Sequence, residues 1–143
     1  MGLTVDDLLG RTQDALDDLF RESLPGPIPD GEAKGTAIIA PGTAFSRELA
    51  ELIHFFAWQG KIFDAAHGFL RNHILPLGLK AIVAKVYPGD SWFDHKPCIV
   101  IDYSDTSIVA SRIRDEIRLI APNLYLGNVY WGEKRLINFA LEV

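Results

Sequence analysis

Two periodicities divide the chain. Between Thr4 and Phe20 the residues Leu8, Leu9, Thr12, Ala15, Leu16, Leu19 and Phe20 recur at steps of three and four, with Asp6, Asp7, Asp14, Asp17 and Asp18 on the remaining faces. That spacing predicts an amphipathic helix with one apolar stripe. Thr4 is placed to accept the Asp7 N–H as an N-cap, and Leu3 and Leu8 flank it as a hydrophobic staple. The helix has to end before Pro25-Gly26-Pro27-Ile28-Pro29-Asp30-Gly31, because proline removes the backbone donor a helix needs. Residues 1–31 therefore read as a helix and a stiff proline-rich linker.

Beyond the linker the apolar period shortens to two, with one interruption. Gly35–Ala40 is a run of β-formers closed by Pro41-Gly42 and reads as a first strand. Ser46 then suits an N-cap, and Leu49, Ala50, Leu52, Ile53, Phe56 and Ala57 give a second helical stripe, wide enough to lie across a barrel mouth. Seven further strands are predicted over 61–64, 69–73, 80–87, 97–103, 113–120, 124–131 and 135–143. Turn signals at His67-Gly68, Pro88-Gly89-Asp90, Pro122-Asn123 and Gly132-Glu133 separate most of them, and one or two helical turns fit after Ser104-Asp105-Thr106-Ser107. Eight strands joined mostly by tight turns disfavour a parallel sheet. They favour an antiparallel, lipocalin-like barrel over 35–143, which also removes exposed sheet edges, preceded and covered by one or two helices.

Composition narrows the function. With 143 residues, 48% of them hydrophobic, the chain matches one domain with a real core and not a disordered binder. Its net charge of −5, from 14 basic and 19 acidic residues, offers no long-range attraction to nucleic acid or an anionic membrane. Arg112, Arg114 and Arg118 are interleaved with Asp115 and Glu116, which largely neutralise them. The lone Cys98 sits in an apolar run and reads as a small buried hydrophobe, so neither a disulfide nor a thiolate metal site is predicted. The amino-terminal residues lack the charged and apolar regions of a signal peptide, and no run of eighteen apolar residues occurs; a cytoplasmic location without membrane insertion is expected.

An eight-stranded barrel encloses side chains or one small ligand, so the chemistry lies in the polar groups that point inward. Alternation on the sixth strand puts Asp115 on the face of Ile113, Ile117 and Leu119, and Arg114, Glu116 and Arg118 on the other. A carboxylate on an apolar face is either a hydrogen-bonded strut or a general acid or base. Tyr87, Asp102-Tyr103, Tyr125 and Tyr130 form a tyrosine-rich set whose rings suit a pocket wall and whose hydroxyls suit orienting a ligand, or which simply fill the core. Lys61, close to Trp58 at a strand start, is a candidate for a ligand carboxylate or a plain surface charge. His54, His67, His73 and His95 show no metal-ligand spacing, and no phosphate loop, dinucleotide fingerprint or nucleophile elbow occurs; no metal or cofactor is predicted.

Two segments carry a family resemblance: Ala57-Trp58-Gln59-Gly60-Lys61-Ile62-Phe63-Asp64, and Ile101-Asp102-Tyr103-Ser104 running on to Leu126-Gly127 and Phe139-Ala140-Leu141. They resemble the paired GXWXG and DUF4334 domains of uncharacterised bacterial proteins, and the resemblance implies a lipocalin-like barrel and a small hydrophobic ligand. It covers residues 57–143; Ala110 replaces an acidic residue of that family, and its first tryptophan has no counterpart before Trp58. Two functions follow as expectations. One is a protein that binds a small hydrophobic or aromatic molecule inside the barrel, through Trp58, Lys61, Tyr87, Tyr103, Asp115, Arg118, Tyr125 and Tyr130. The other is a cofactor-free isomerase, cyclase or decarboxylase-type enzyme using Asp115 or Asp102 with Tyr103 and an arginine. Dimerisation of a packed barrel through its helices is a third, purely structural, alternative.

Overall fold

The structure is a computed structural model that describes residues 3–40, 47, 50, 60–72, 83–103 and 112–143, without the side chains of 61, 71, 72 and 83. Of the second helix predicted from Ser46 only Arg47 and Ala50 are described, both helical, and the short helix predicted after Ser104 lies outside the described residues.

The amino-terminal stripe forms two helices where one was predicted, α1 (Val5–Leu8) and α2 (Gln13–Glu22). Thr4 caps α1 as expected, accepting from the Asp7 N–H while the Asp7 carboxylate accepts from the Thr4 N–H. The break falls at Gly10, whose φ of +86° is open to glycine and strained for other residues. Thr12, counted in the stripe above, restarts the helix as a second N-cap by accepting from the Ala15 N–H.

Eight strands follow: β1 (Gly31–Ile38), β2 (Gly60–Asp64), β3 (Phe69–Asn72), β4 (Val83–Asp90), β5 (Pro97–Asp102), β6 (Ile113–Ala121), β7 (Leu124–Trp131) and β8 (Lys134–Glu142). Each pairs antiparallel with its neighbour in sequence, and β1 pairs with β8, so the sheet closes into a barrel. Most strand boundaries fall within two residues of the sequence expectation, and two described ones move further. β1 begins inside the linker at Gly31, and β4 runs through the Pro88-Gly89-Asp90 turn signal because Pro88 and Gly89 stay paired with Ile99 and Cys98.

Alternation along the strands sends one set of side chains inward. Ala33, Phe63, Leu70, Ala84, Val86, Ile99, Ile101, Tyr103, Ile113, Ile117, Tyr125, Val129, Ile137, Phe139 and Leu141 make one buried cluster there. A second cluster lies on the outside of the barrel, where Leu8, Leu16 and Phe20 of the helices pack on Ile38, Leu124, Leu126 and Ala140. The helices thus cover part of the barrel wall, and the outward residues beneath them are buried as well.

The two ends of the barrel differ. The 65–68 turn, the 91–96 loop, the 122–123 turn and the linker into β1 gather at one end. β1, β3, β5 and β7 run toward the opposite end, where the 132–133 turn joins β7 to β8.

Candidate functional site

β6 carries the polar residues of both faces. Asp115 pairs across the sheet with Ile101 on β5 and Val129 on β7, and Val129 pairs with Ile137 on β8. Its inward neighbours along β6 are Ile113 and Ile117, so the carboxyl group stands in a wall of branched aliphatic side chains and has no solvent exposure, 0%. Tyr103 follows the end of β5, two residues past Ile101, and its N–H reaches the Ile113 carbonyl at 3.4 Å. It therefore lies diagonally across from Asp115 on the same inner face, within reach of a long side chain. Tyr103 is also fully buried, and its phenol is pushed well above the usual range, first by burial and then by the negative charge of Asp115. Both groups are held in a low-dielectric interior where charge is costly, the kind of environment that tunes a proton-transfer or recognition group.

The other inward tyrosine, Tyr125, stands near the linker end. Its hydroxyl donates to the Pro27 carbonyl, and burial raises its pKa. It holds chain to chain.

The other side chains expected to line the pocket point outward. Tyr87 pairs in register with Val100 and donates to the Asp102 carboxylate at 2.9 Å on the outer face. Burial is the first cause that raises its pKa, and the Asp102 bond adds to it. Tyr130 packs edge-on against Trp92, also outside, and is pushed up to about 12 by burial and by the nearby Glu116. Arg118 lies beneath α2 and the 91–96 loop, where all five of its N–H donors are used: on the Pro97, Phe20 and Lys96 carbonyls and on both oxygens of Asp94. As pocket residues Tyr87, Asp102, Arg118 and Tyr130 are thus corrected to the outer wall, because the same two-residue period that points Asp115 inward points them out. Arg114 and Arg135 are outside too, paired with Glu116 and Asp17, so the arginine of the enzyme expectation does not come from this set. Lys61 pairs with Ala33 and Asn72 in the sheet, but its side chain, like all of Trp58, lies outside the described residues.

The sequence reading missed the polar layer under the helices. Glu116 is fully buried although it faces out; it accepts from Ser91 Oγ at 2.6 Å, from the Trp92 N–H at 2.7 Å and from Arg114. Gln13 on α2 reaches Asn138, whose amide in turn donates to Asn128. The available signal was Trp92-Phe93 inside a loop flanked by Asp90 and Asp94, since two large aromatics in a short loop need a wall to cover. Arg114 stacks on Trp92 and Arg21 on Phe93, which ties that loop to the barrel and to α2.

Cys98 faces the same outer layer and has no solvent exposure. Its thiol is pushed up to about 12, chiefly by burial and then by Glu116. The native protein should therefore leave a disulfide-exchange reagent such as dithionitrobenzoate unconsumed at pH 8 and react with one equivalent only when unfolded. Rapid reaction of the native form would show that the layer over β5 opens readily.

No protein-family model matches the chain, and no curated protein matches it. Among solved structures, the fold is similar to that of a crystallised protein from Thermomonospora curvata, with a TM-score of 0.64 at 17% identity. The alignment covers 96% of this chain and 91% of that one. The likeness is one of fold. Among the described residues there is no cluster of three or more His, Cys, Asp and Glu side chains fit to hold a metal ion. Nor is any helix among them long and apolar enough to cross a membrane.

Proposed function

We propose that the barrel binds a small hydrophobic or aromatic molecule whose polar group meets Asp115 and Tyr103. The observation that carries this reading is a carboxyl group and a phenol, both 0% exposed, side by side in an interior that, among the described residues, is otherwise Ile, Val, Leu, Phe and Ala with Tyr125 near the linker. Keeping a carboxylate out of water costs stability, and a packed apolar wall would be satisfied by a leucine there. An apolar enclosure with a few convergent polar groups is the usual form of a site for a small apolar ligand, the walls supplying affinity and the polar pair orientation. Entry of a ligand then requires the barrel to open locally, since neither group touches solvent in this closed form. The resemblance of residues 57–64 and 101–141 to the GXWXG and DUF4334 domains supports the same reading.

The test is thermal unfolding in the presence of a panel of neutral lipids, aromatic alcohols and aromatic acids. A compound that binds only the folded state raises Tm. Asp115→Asn and Tyr103→Phe should each weaken the best compound by about tenfold or more, the loss of one hydrogen bond to a charged or buried partner, about 1.5–3 kcal/mol. Tyr130→Phe, on the outer wall, should leave its affinity unchanged. A panel that shifts Tm nowhere, or a compound indifferent to both interior changes, rejects the proposal.

A further inference from the structure

The linker does more than connect the helices to β1. Leu24 forms a bridge to Leu119 at the end of β6, and the Leu119 N–H is shared between the Leu24 carbonyl at 3.0 Å and the Pro25 carbonyl at 3.2 Å. Gly26 turns the chain with a φ of +71°, and a Cβ there would lie 2.6 Å from the Leu119 Cβ, so the backbone itself presses on that side chain. Pro27 accepts from the Tyr125 hydroxyl, and Ile28 packs on the interior cluster. Asp30 then accepts from the Ala65 N–H of the β2–β3 turn, beside the start of β1. Contacts to β6, β7 and the β2–β3 turn span this end of the barrel. Above it, the Phe139 ring lies over Gly127, in the layer between the linker and Asp115.

We infer that residues 24–30 are a fixed plug that closes this end of the barrel, so that a ligand bound at Asp115 does not enter here. This rests on the proposed binding inside the barrel and adds which end is closed to entry. Proline at 25, 27 and 29 suits the role, because each fixes φ and lowers the entropy lost when the segment is held in place.

The experiment staples the plug. Leu24→Cys and Leu119→Cys are introduced together with Cys98→Ala; partners across an antiparallel bridge have Cα atoms about 4.5–5.5 Å apart, inside the range a disulfide accepts. The neutral fluorophore N-phenyl-1-naphthylamine is the probe, and its fluorescence gain and association rate are compared for the oxidised and the dithiothreitol-reduced protein. Equal amplitude, and rates within about twofold, in the two states support the inference. Binding to the reduced protein that is lost or slowed more than tenfold on oxidation overturns it, since the plug is then the door, while the binding proposal stands. Failure of the two cysteines to oxidise also overturns it, because a fixed plug holds residues 24 and 119 together. A probe that binds neither form and does not bind the unmodified chain rejects the binding proposal and this inference with it.

Discussion

Arg118→Ala should lower stability by about 3–5 kcal/mol, the range for removing one partner of a buried ion pair and leaving the rest without it. The size follows from the donor count. Arg118 is 1% exposed and spends each of its five N–H groups, three on the carbonyls of Phe20, Lys96 and Pro97 and two on Asp94. Truncation leaves the end of α2 and the base of the 91–96 loop without these bonds, and removes the guanidinium from the Phe20 ring, 4.3 Å away. Arg118→Lys should recover the smaller part of the loss, because an ammonium has three donors and lacks the planar fork that meets both Asp94 oxygens. The change should also alter the acid limb. The Arg118 hydrogen bonds hold the Asp94 carboxyl below its ordinary value, against the effect of its partial burial. Its folded-state pKa thus lies below the unfolded one, so its contribution is complete above the unfolded value of about 3.9 and is lost as pH falls through the folded value. Urea unfolding between pH 2 and 7 should show a shallower acid dependence in Arg118→Ala than in the parent. A loss below 1 kcal/mol at pH 7, with an unchanged acid limb, would mean that this network is dispensable.

Gly127→Ala should cost stability out of proportion to one methyl group, and the cost should vanish when Phe139 is shortened. A Cβ on residue 127 would sit 2.1 Å from Phe139 Cε1 and 2.3 Å from its Cζ, far inside contact distance. Gly127 and Phe139 are direct partners across β7 and β8, so the ring uses the missing side chain as its seat. The ring is fully buried in the cluster that includes Ile99, Ile117 and Leu141. Overpacking of that kind costs about 1–3 kcal/mol. Phe139→Leu alone should also destabilise, by opening a void, but in the double variant Gly127→Ala/Phe139→Leu the added methyl is accommodated. A double-mutant cycle on denaturant midpoints should give a coupling above about 1 kcal/mol; additive losses would mean that the ring is not seated on Gly127.

The sequence showed its strands more clearly than its surfaces. Eight β-segments were readable because alternation and turn residues mark them locally, and the face assignment on β6 followed from a period of two. What the pattern did not show was how far outward residues are buried. Arg118, Glu116 and Tyr130 looked like pocket or surface groups because period alone distinguishes two faces without saying what covers each. The cover comes from α2 and the 91–96 loop, elements remote in sequence whose docking depends on Phe20, Trp92 and Phe93 finding Arg118, Arg114 and Arg135. The single-helix expectation failed for a local reason: Thr12 falls on the amphipathic stripe and Gly10 lies between its members, yet Gly10 breaks the helix and Thr12 starts the next. The plug had a visible signal in the prolines, but its target, Leu119, lies some ninety residues on and carried no mark. In the candidate site, Asp115 stood out as a carboxylate among Ile113, Ile117 and Leu119. Tyr103 could not be separated by sequence from Tyr87 and Tyr130, because the end of a strand gives too little alternation to choose a face.

The most direct measurement is carbon-13 NMR of protein labelled at the aspartate Cγ and tyrosine Cζ positions, titrated with the compound that most raises Tm. The account predicts that the Asp115 and Tyr103 resonances move in saturable fashion with one common dissociation constant, while those of Tyr87, Tyr130 and Asp94 on the outer wall stay in place. Movement of the outer resonances with Asp115 and Tyr103 unmoved would put the ligand on the surface of the barrel and contradict it.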